Sequence, residues 1–310
     1  GIDLKSQTLT LTAGTGANIN ASAALSSSTS SGTLVKAGAG TATLATANTY
    51  RGNTTISGGT LVLTGSGGIY TGNTKANANS LVINGNGILS ADRWGWGSNQ
   101  SLGMLNFNNG YIAVDGGTLR NVAAASTYMG GAGNSRGINV GANGLIIENA
   151  TAATTWTWDS GGGNNSYAAS AQLTLTGAGN GVFKQSIAGT GVKLVKSGNG
   201  TWTMGAANSY TGNTTVTTGT LVVGAGARIY HNAYNGSAVV SVASGATLDL
   251  QNWGYGETTL SLGGLSANAN AMVVNGGTIR ISGTTPTSYG RGVTVQAGGA
   301  TLEAGSGANR

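Results

Sequence analysis

The stretch Leu194–Val223, LVKSGNGTWTMGAANSYTGNTTVTTGTLVV, decides how this chain is read. It has a near copy at Leu34–Leu63, LVKAGAGTATLATANTYRGNTTISGGTLVL. The two lie 160 residues apart (194 − 34), and 18 of their 30 positions are identical without a gap. Chance does not produce that, so the chain is a repeat protein. The correspondence runs outward from the block. Ile69-Tyr70 matches Ile229-Tyr230, and Trp94-Gly95-Trp96-Gly97 matches Trp253-Gly254-Tyr255-Gly256. Val114–Arg120 matches Val274–Arg280, Arg136-Gly137 matches Arg291-Gly292, and Glu148 matches Glu303. A unit of roughly 155–165 residues therefore occurs almost twice. Residues 1–8 read as the end of a preceding unit, 9–172 as a first unit and 173–310 as a second, truncated one. The two units start on the same LTLT, at Leu9 and Leu173. The expectation is one continuous rod, cut from a longer array.

Glycine supplies 57 of the 310 residues, proline 1 and cysteine 0, and only 7% are charged. Such a composition could be disordered, but the apolar residues alternate strictly, which disordered chains lack. No run approaches the 18 or so apolar residues of a membrane helix, and no signal peptide is present. The absence of thiols suits a chain that crosses an oxidising compartment unfolded.

One pattern recurs along the chain: a short alternating strand, a Gly/Asn elbow, then another short strand. Elbows fall near Gly14–Gly16, Gly38–Gly40, Gly58-Gly59, Gly85–Gly87, Gly116-Gly117 and Gly141–Gly144. They continue near Gly177–Gly181, Gly198–Gly200, Thr218-Gly219, Ser244-Gly245, Gly276-Gly277 and Gly298-Gly299. After each of them the strand is read as Thr–apolar–x–apolar, as in TLVL (60–63), TLRN (118–121), TLVV (220–223), TLDL (247–250), TIRI (278–281) and TLEA (301–304). Period-two patterning with glycine breaks means strand throughout. A rung of 20–30 residues with one strong elbow predicts an all-β chain folded as a right-handed parallel β-helix of about 12 rungs. Leu61, Leu119, Leu221, Leu248, Ile279 and Leu302 then stack inside, and a rod on the order of 60 Å long results.

The pattern G-x-G-T…N-x-Y-x-G-N-T-T-x-x-x-G-T-L resembles the autotransporter-associated β-strand repeat, the passenger-associated repeat of large secreted or surface bacterial proteins. It rests on Gly38, Gly40, Asn48, Tyr50, Gly52, Asn53, Thr54, Thr55, Gly59, Thr60 and Leu61 in the first copy. In the second it rests on Gly198, Gly200, Asn208, Tyr210, Gly212, Asn213, Thr214, Thr215, Gly219, Thr220 and Leu221. The resemblance implies a right-handed β-helix displayed outside the cell. It brings no catalytic residues with it, and the translocating barrel of such proteins is not in this chain.

Enzymes built on β-helices need convergent carboxylates. Only Asp92 and Asp115 lie about one rung apart with Arg93 and Arg120 near them, at different phases of the elbow; Asn252 and Asn275 replace them in the second unit. His231 is the sole histidine and reads as a loop residue. No metal cluster, cofactor motif or phosphate loop is present, so the chain is expected to be non-enzymatic and to need no cofactor. The net charge of +6 comes from basic residues spread along the chain. That is a solvated face, not the clustered stripe of a nucleic-acid binder. Arg120 with Glu148, and Arg280 with Glu303, each follow an apolar residue after an elbow, which predicts two cross-rung ion pairs worth no more than about 1 kcal/mol each.

The aromatic residues are the binding candidates. Trp94, Trp96, Trp253 and Tyr255 recur in Gly-flanked loops, where they either contact surface glycans or plug the loops. Trp156 and Trp158 alternate on one face and read as a plug or cap, Trp202 as core, Tyr50 and Tyr210 as turn packing. Asn53, Asn149, Asn199 and Asn213 start N-x-T sequons. The reading that follows is a non-enzymatic extracellular rod: a stalk, adhesin or filament segment at the bacterial cell surface, able to self-associate head-to-tail or laterally. A carbohydrate-active or glycan-binding β-helix stands beside it, resting on the Trp loops alone.

Overall fold

The computed structural model describes residues 1–28, 32–69, 80–95, 101–102, 112–129, 137–159, 165–230, 237–252, 261–262, 271–283 and 292–305. Among them every regular element is a strand, and none is a helix. They form two compact units, Gly1–Ser166 and Tyr167–Arg310.

The first unit carries two long parallel ladders. One joins Thr8–Thr12, Thr33–Ala37, Thr54–Ile56, Leu81–Asn84, Ile112–Asp115 and Ile138–Val140 in chain order. The other joins Asn18–Ala21, Thr41–Leu44, Thr60–Leu63, Ile88–Ala91, Gly117–Asn121 and Leu145–Asn149. A strand of the first ladder is followed by an elbow, then by a strand of the second. The chain then returns to the first ladder one coil further on. Parallel strands need such a crossover, and here the rest of the coil supplies it. This is a parallel β-helix.

The second unit repeats the plan. Gln172–Thr176, Lys193–Lys196, Thr214–Val216, Val240–Val242, Met272–Val274 and Val293–Val295 form one ladder. Asn180–Phe183, Thr201–Met204, Thr220–Val223, Thr247–Leu250, Gly277–Ile281 and Ala300–Ala304 form the other. A shorter third side appears as Thr127–Met129 beside Thr155–Trp158 in the first unit and Ala188–Gly189 beside Ser209–Tyr210 in the second.

The elbows explain the glycine content. A glycine with positive φ stands in each of them, from Gly16 and Gly38 to Gly276 and Gly299. The G-x-G of the repeat needs its two glycines for different reasons. Gly38 turns the chain at φ +72, where a side chain is strained. Gly40 lies so close to the coil beneath that a Cβ would sit 2.2 Å from the Gly14 carbonyl oxygen, and at Gly200 it would sit 1.9 Å from that of Gly179.

Inward positions alternate with outward ones, as in the buried Ala42/Leu44, Leu61/Leu63 and Trp202/Met204 pairs. In register, Ile19, Ala42, Leu61, Leu89, Leu119 and Ile147 stack in the first unit. Gly181, Trp202, Leu221, Leu248, Ile279 and Leu302 stack in the second. Leu89 belongs to this stack although its strand, ILSA, lacks the leading threonine. Leu302 is in register but 70% exposed, which corrects its assignment to the interior. Its strand is the outermost described one of its ladder and is covered on one side only.

Candidate functional site

The repeat block is where side chains take over from the ladder. On the third side of the coil the backbone pairing is short, and the Asn48 side chain adds to it. Its Oδ1 accepts from Leu25 N at 2.9 Å, and its Nδ2 donates to Thr46 O at 2.7 Å and Gly68 O at 2.8 Å. The side chain is fully buried and reaches the coils before and after its own. Asn208 does the same with Ile187 N (2.8 Å), Ala206 O (3.1 Å) and Arg228 O (2.7 Å). Asn53 and Asn213 tie three coils from the outside. Their carbonyls accept from Leu34 N and Leu194 N, and their Oδ1 atoms accept from Ser80 N and Val239 N, all at 3.0 Å. Tyr50 and Tyr210 are buried, with their hydroxyls bonded to Thr54 and Thr214. Tyr210 also packs on Tyr230 with ring centroids 5.2 Å apart. Gly52 and Gly212 lie under the preceding coil, where a Cβ would meet Gly32 O at 2.5 Å and Gly191 O at 2.4 Å.

The described tryptophans are core residues. Trp94 is 2% exposed, stacks on Trp156 at 4.8 Å and donates its indole N–H to Arg120 O at 3.1 Å. No face of it is left for a sugar, which corrects its place among the glycan candidates. Trp96, Trp253 and Tyr255 lie outside the described residues, as does His231. Trp156 and Trp158 are inward members of the strand Thr155–Trp158, both 0% exposed and 5.4 Å apart, so they fill the coil interior and do not cap it. Trp202 is also fully buried and donates to Thr176 O at 3.1 Å. Asn149 is buried and bonded to Asn121 and Thr154, so its sequon is closed to modification in the folded chain.

The carboxylates serve turns. Asp92 Oδ2 accepts from Thr64 Oγ1 (3.0 Å) and Gly65 N (2.9 Å). Gln251 Oε1 does this for Ala225 N in the second unit, so Gln251, not Asn252, is the structural counterpart. Asp115 accepts from Asn143 N and Nδ2 at 2.7 and 3.0 Å, and Asn275 caps Gly298 N in the same way at 2.9 Å. Asp92 and Asp115 thus hold different turns, and among the described residues no group of three or more His, Cys, Asp or Glu could hold a metal. Arg120 and Glu148 are register partners with Nε and Oε2 2.7 Å apart; Arg280 and Glu303 are register partners at 2.8 Å, with Asp249 3.9 Å from Arg280 Nη1 on the other side. These half-exposed pairs contribute at most about 1 kcal/mol each.

Two basic residues are not on a solvated face. Lys36 and Lys196 are 0% exposed, which corrects the reading of all basic residues as surface charge. The sequence held a signal: in LVK, leucine and lysine share a phase, so an inward Leu34 or Leu194 makes the lysine inward too. Burial pushes the Lys36 ammonium down from its ordinary value and that of Lys196 down to about 8. Leu175 and Val216 flank Lys196 in register and the elbow around it is Ser197, Gly198 and Thr218, so among the described residues no charged group faces it. Its pKa in the unfolded chain is about 10.4, so between pH 8 and that value the unfolded chain binds more protons and stability rises with pH. Burial pushes the Tyr210 hydroxyl up, which acts in the opposite direction above about pH 10. The thermal midpoint should therefore climb from pH 7.5 to 9.5, and Lys196→Met should flatten that climb; a midpoint that falls over this range in the parent chain would contradict it.

On the outer face of the first unit lies a shallow depression of about 330 Å³. Its walls are the outward rows Val82, Ala113, Asn139 and Asn84, Asp115, Gly141. A Cβ on Gly141 would fall 2.3 Å from Asp115 Oδ1, so the missing side chain keeps the depression open.

Parallel coils tied by asparagine and lysine at a repeated block define a repeat protein of the parallel β-helix class. The passenger-associated-transport-repeat family matches residues 34–63 and 194–223, the two copies of that block. The chain is also similar to the adhesin BmaC autotransporter of Brucella suis biovar 1 (strain 1330), with 30% identity over 202 residues, 64% of this chain. That stretch is 5% of the relative, so the chain spans a small fraction of its length. No solved structure matches. The chain thus carries two passenger-associated transport repeats, and these, with the likeness to an autotransporter adhesin, indicate a location outside the cell at the bacterial surface. Among the described residues no helix is long and apolar enough to cross a membrane.

Proposed function

We propose that this chain is a non-enzymatic stalk segment of a surface adhesin, holding other parts of a much longer protein away from the cell. The observation that carries the reading is the repeated tie between coils: Asn48 and Asn208 each bond backbone groups of three successive coils. A coil pinned to both neighbours resists bending as well as unfolding. The likeness to an adhesin autotransporter supports the adhesive setting.

Electron micrographs of the purified chain should show separate slender particles, and the chain alone should not bind host-cell glycans. Compact globules would overturn the stalk. Regular fibres would make it a filament subunit, joined head-to-tail or laterally. A second reading, glycan binding, is favoured by the depression around Asp115; saturable sugar binding lost in Asp115→Ala would establish it over the first.

A further inference from the structure

Lys36 and Lys196 interrupt stacks that are otherwise aliphatic. The register runs Leu11, Lys36, Ile56, Ile83 in the first unit and Leu175, Lys196, Val216, Val242 in the second. In each case the four-carbon stem occupies the stack and the ammonium turns into the elbow. Lys36 Nζ donates to Ala37 O at 2.7 Å, Gly38 O at 2.9 Å and Gly58 O at 3.0 Å. Lys196 Nζ donates to Ser197 O and Gly198 O at 2.8 Å and to Thr218 O at 3.0 Å. Two acceptors come from the lysine's own elbow and the third from the elbow of the next coil.

An ammonium has three N–H donors, and all three are used. No carboxylate pairs with either lysine among the described residues. A buried charge met only by carbonyl dipoles is the way a monovalent cation sits in a carbonyl ring. The ring is also shaped for its occupant. A Cβ on Gly219, whose φ is +65, would lie 2.7 Å from Lys196 Nζ.

We propose that the elbow carbonyls around Lys36 and around Lys196 are two built primary-ammonium sites, each filled from within by the lysine, and that the tethered cation fastens a repeat block to the coil that follows. The lowered affinity for the proton is compatible with this. Burial costs the charge its hydration, while the buried carbonyls need its donors.

The test is chemical rescue in the full chain. Lys196→Ala should lower the unfolding midpoint, and n-propylammonium, which replaces the three missing carbons and the head, should restore most of that loss while leaving the parent chain unchanged. Tetramethylammonium at the same ionic strength carries the charge but no N–H, and should restore none. Lys196→Met, which keeps the stem, should unfold well below the parent. Equal rescue by the two cations, or a Met variant as stable as the parent, would overturn the proposal. If Lys196→Ala does not fold, nitrogen-15 NMR of the parent decides. Two side-chain ammonium signals, lost in Lys36→Met and Lys196→Met respectively, should exchange slowly with water near neutral pH; fast exchange at both would overturn it.

Discussion

A chain carrying Gly181→Ile together with Trp202→Ala should recover most of the stability that either substitution removes alone. Gly181 and Trp202 are register partners, and a Cβ on Gly181 would meet the Trp202 ring at 2.2 Å. The indole therefore lies flat on the glycine backbone and is fully buried. Trp202→Ala empties that space and should cost about 3–5 kcal/mol. Gly181→Ile drives a side chain into a ring that has nowhere to move, costing about 1–3 kcal/mol or more. The first unit solves the same packing problem with Ile19 opposite Ala42, so the double substitution rebuilds a pair that the fold already accommodates. Recovery should be incomplete, because the bond from the Trp202 indole to Thr176 O is lost. Denaturant midpoints of the four chains measure this as a double-mutant cycle. Costs that simply add would show that the two residues do not share one space.

The second large effect is expected at Asn208. Replacing it with alanine leaves Ile187 N and Ala206 O without the partners its side chain provides. Two stranded backbone groups at about 1–3 kcal/mol each give a loss of roughly 2–6 kcal/mol. Asn208→Asp should not repair it, since a carboxylate would face the Ala206 and Arg228 carbonyls with no proton to offer. Asn199, an exposed asparagine of the same block, provides the control and should change stability by about 0.5 kcal/mol or less. Comparable losses at both positions would show that the Asn208 side chain does not tie the coils.

The architecture was legible because few residue types can do what an elbow demands. Only glycine turns left-handed without strain and lets one coil lie on another, so spaced glycines mark the coil even where the strands between them share no sequence. What the pattern could not show is contact between coils. Trp94 sits among glycines, as an exposed loop residue would, yet it is buried by Trp156, 62 residues further on. The lysines carried conflicting signals. Their phase in LVK points inward and their charge class to the surface, and the ring of carbonyls that settles the conflict has no residue signature. Asn48 and Asn208 look like ordinary turn asparagines, and only the stacked coils show each side chain bonded to its neighbours on both sides.

The ties between coils share one further property. Lys36 to Gly58 spans 22 residues, Asn48 to Leu25 23, Asn53 to Ser80 27 and Arg120 to Glu148 28. Each closes a loop of a single turn, and loop-closure entropy depends only on the length of the loop closed. Mean contact separation is then fixed by the coil and does not grow as coils are added, so relative contact order falls as the polypeptide lengthens. A tenfold longer chain of this kind would order its next coil at the same entropic cost as this one, by zippering onto the edge already formed.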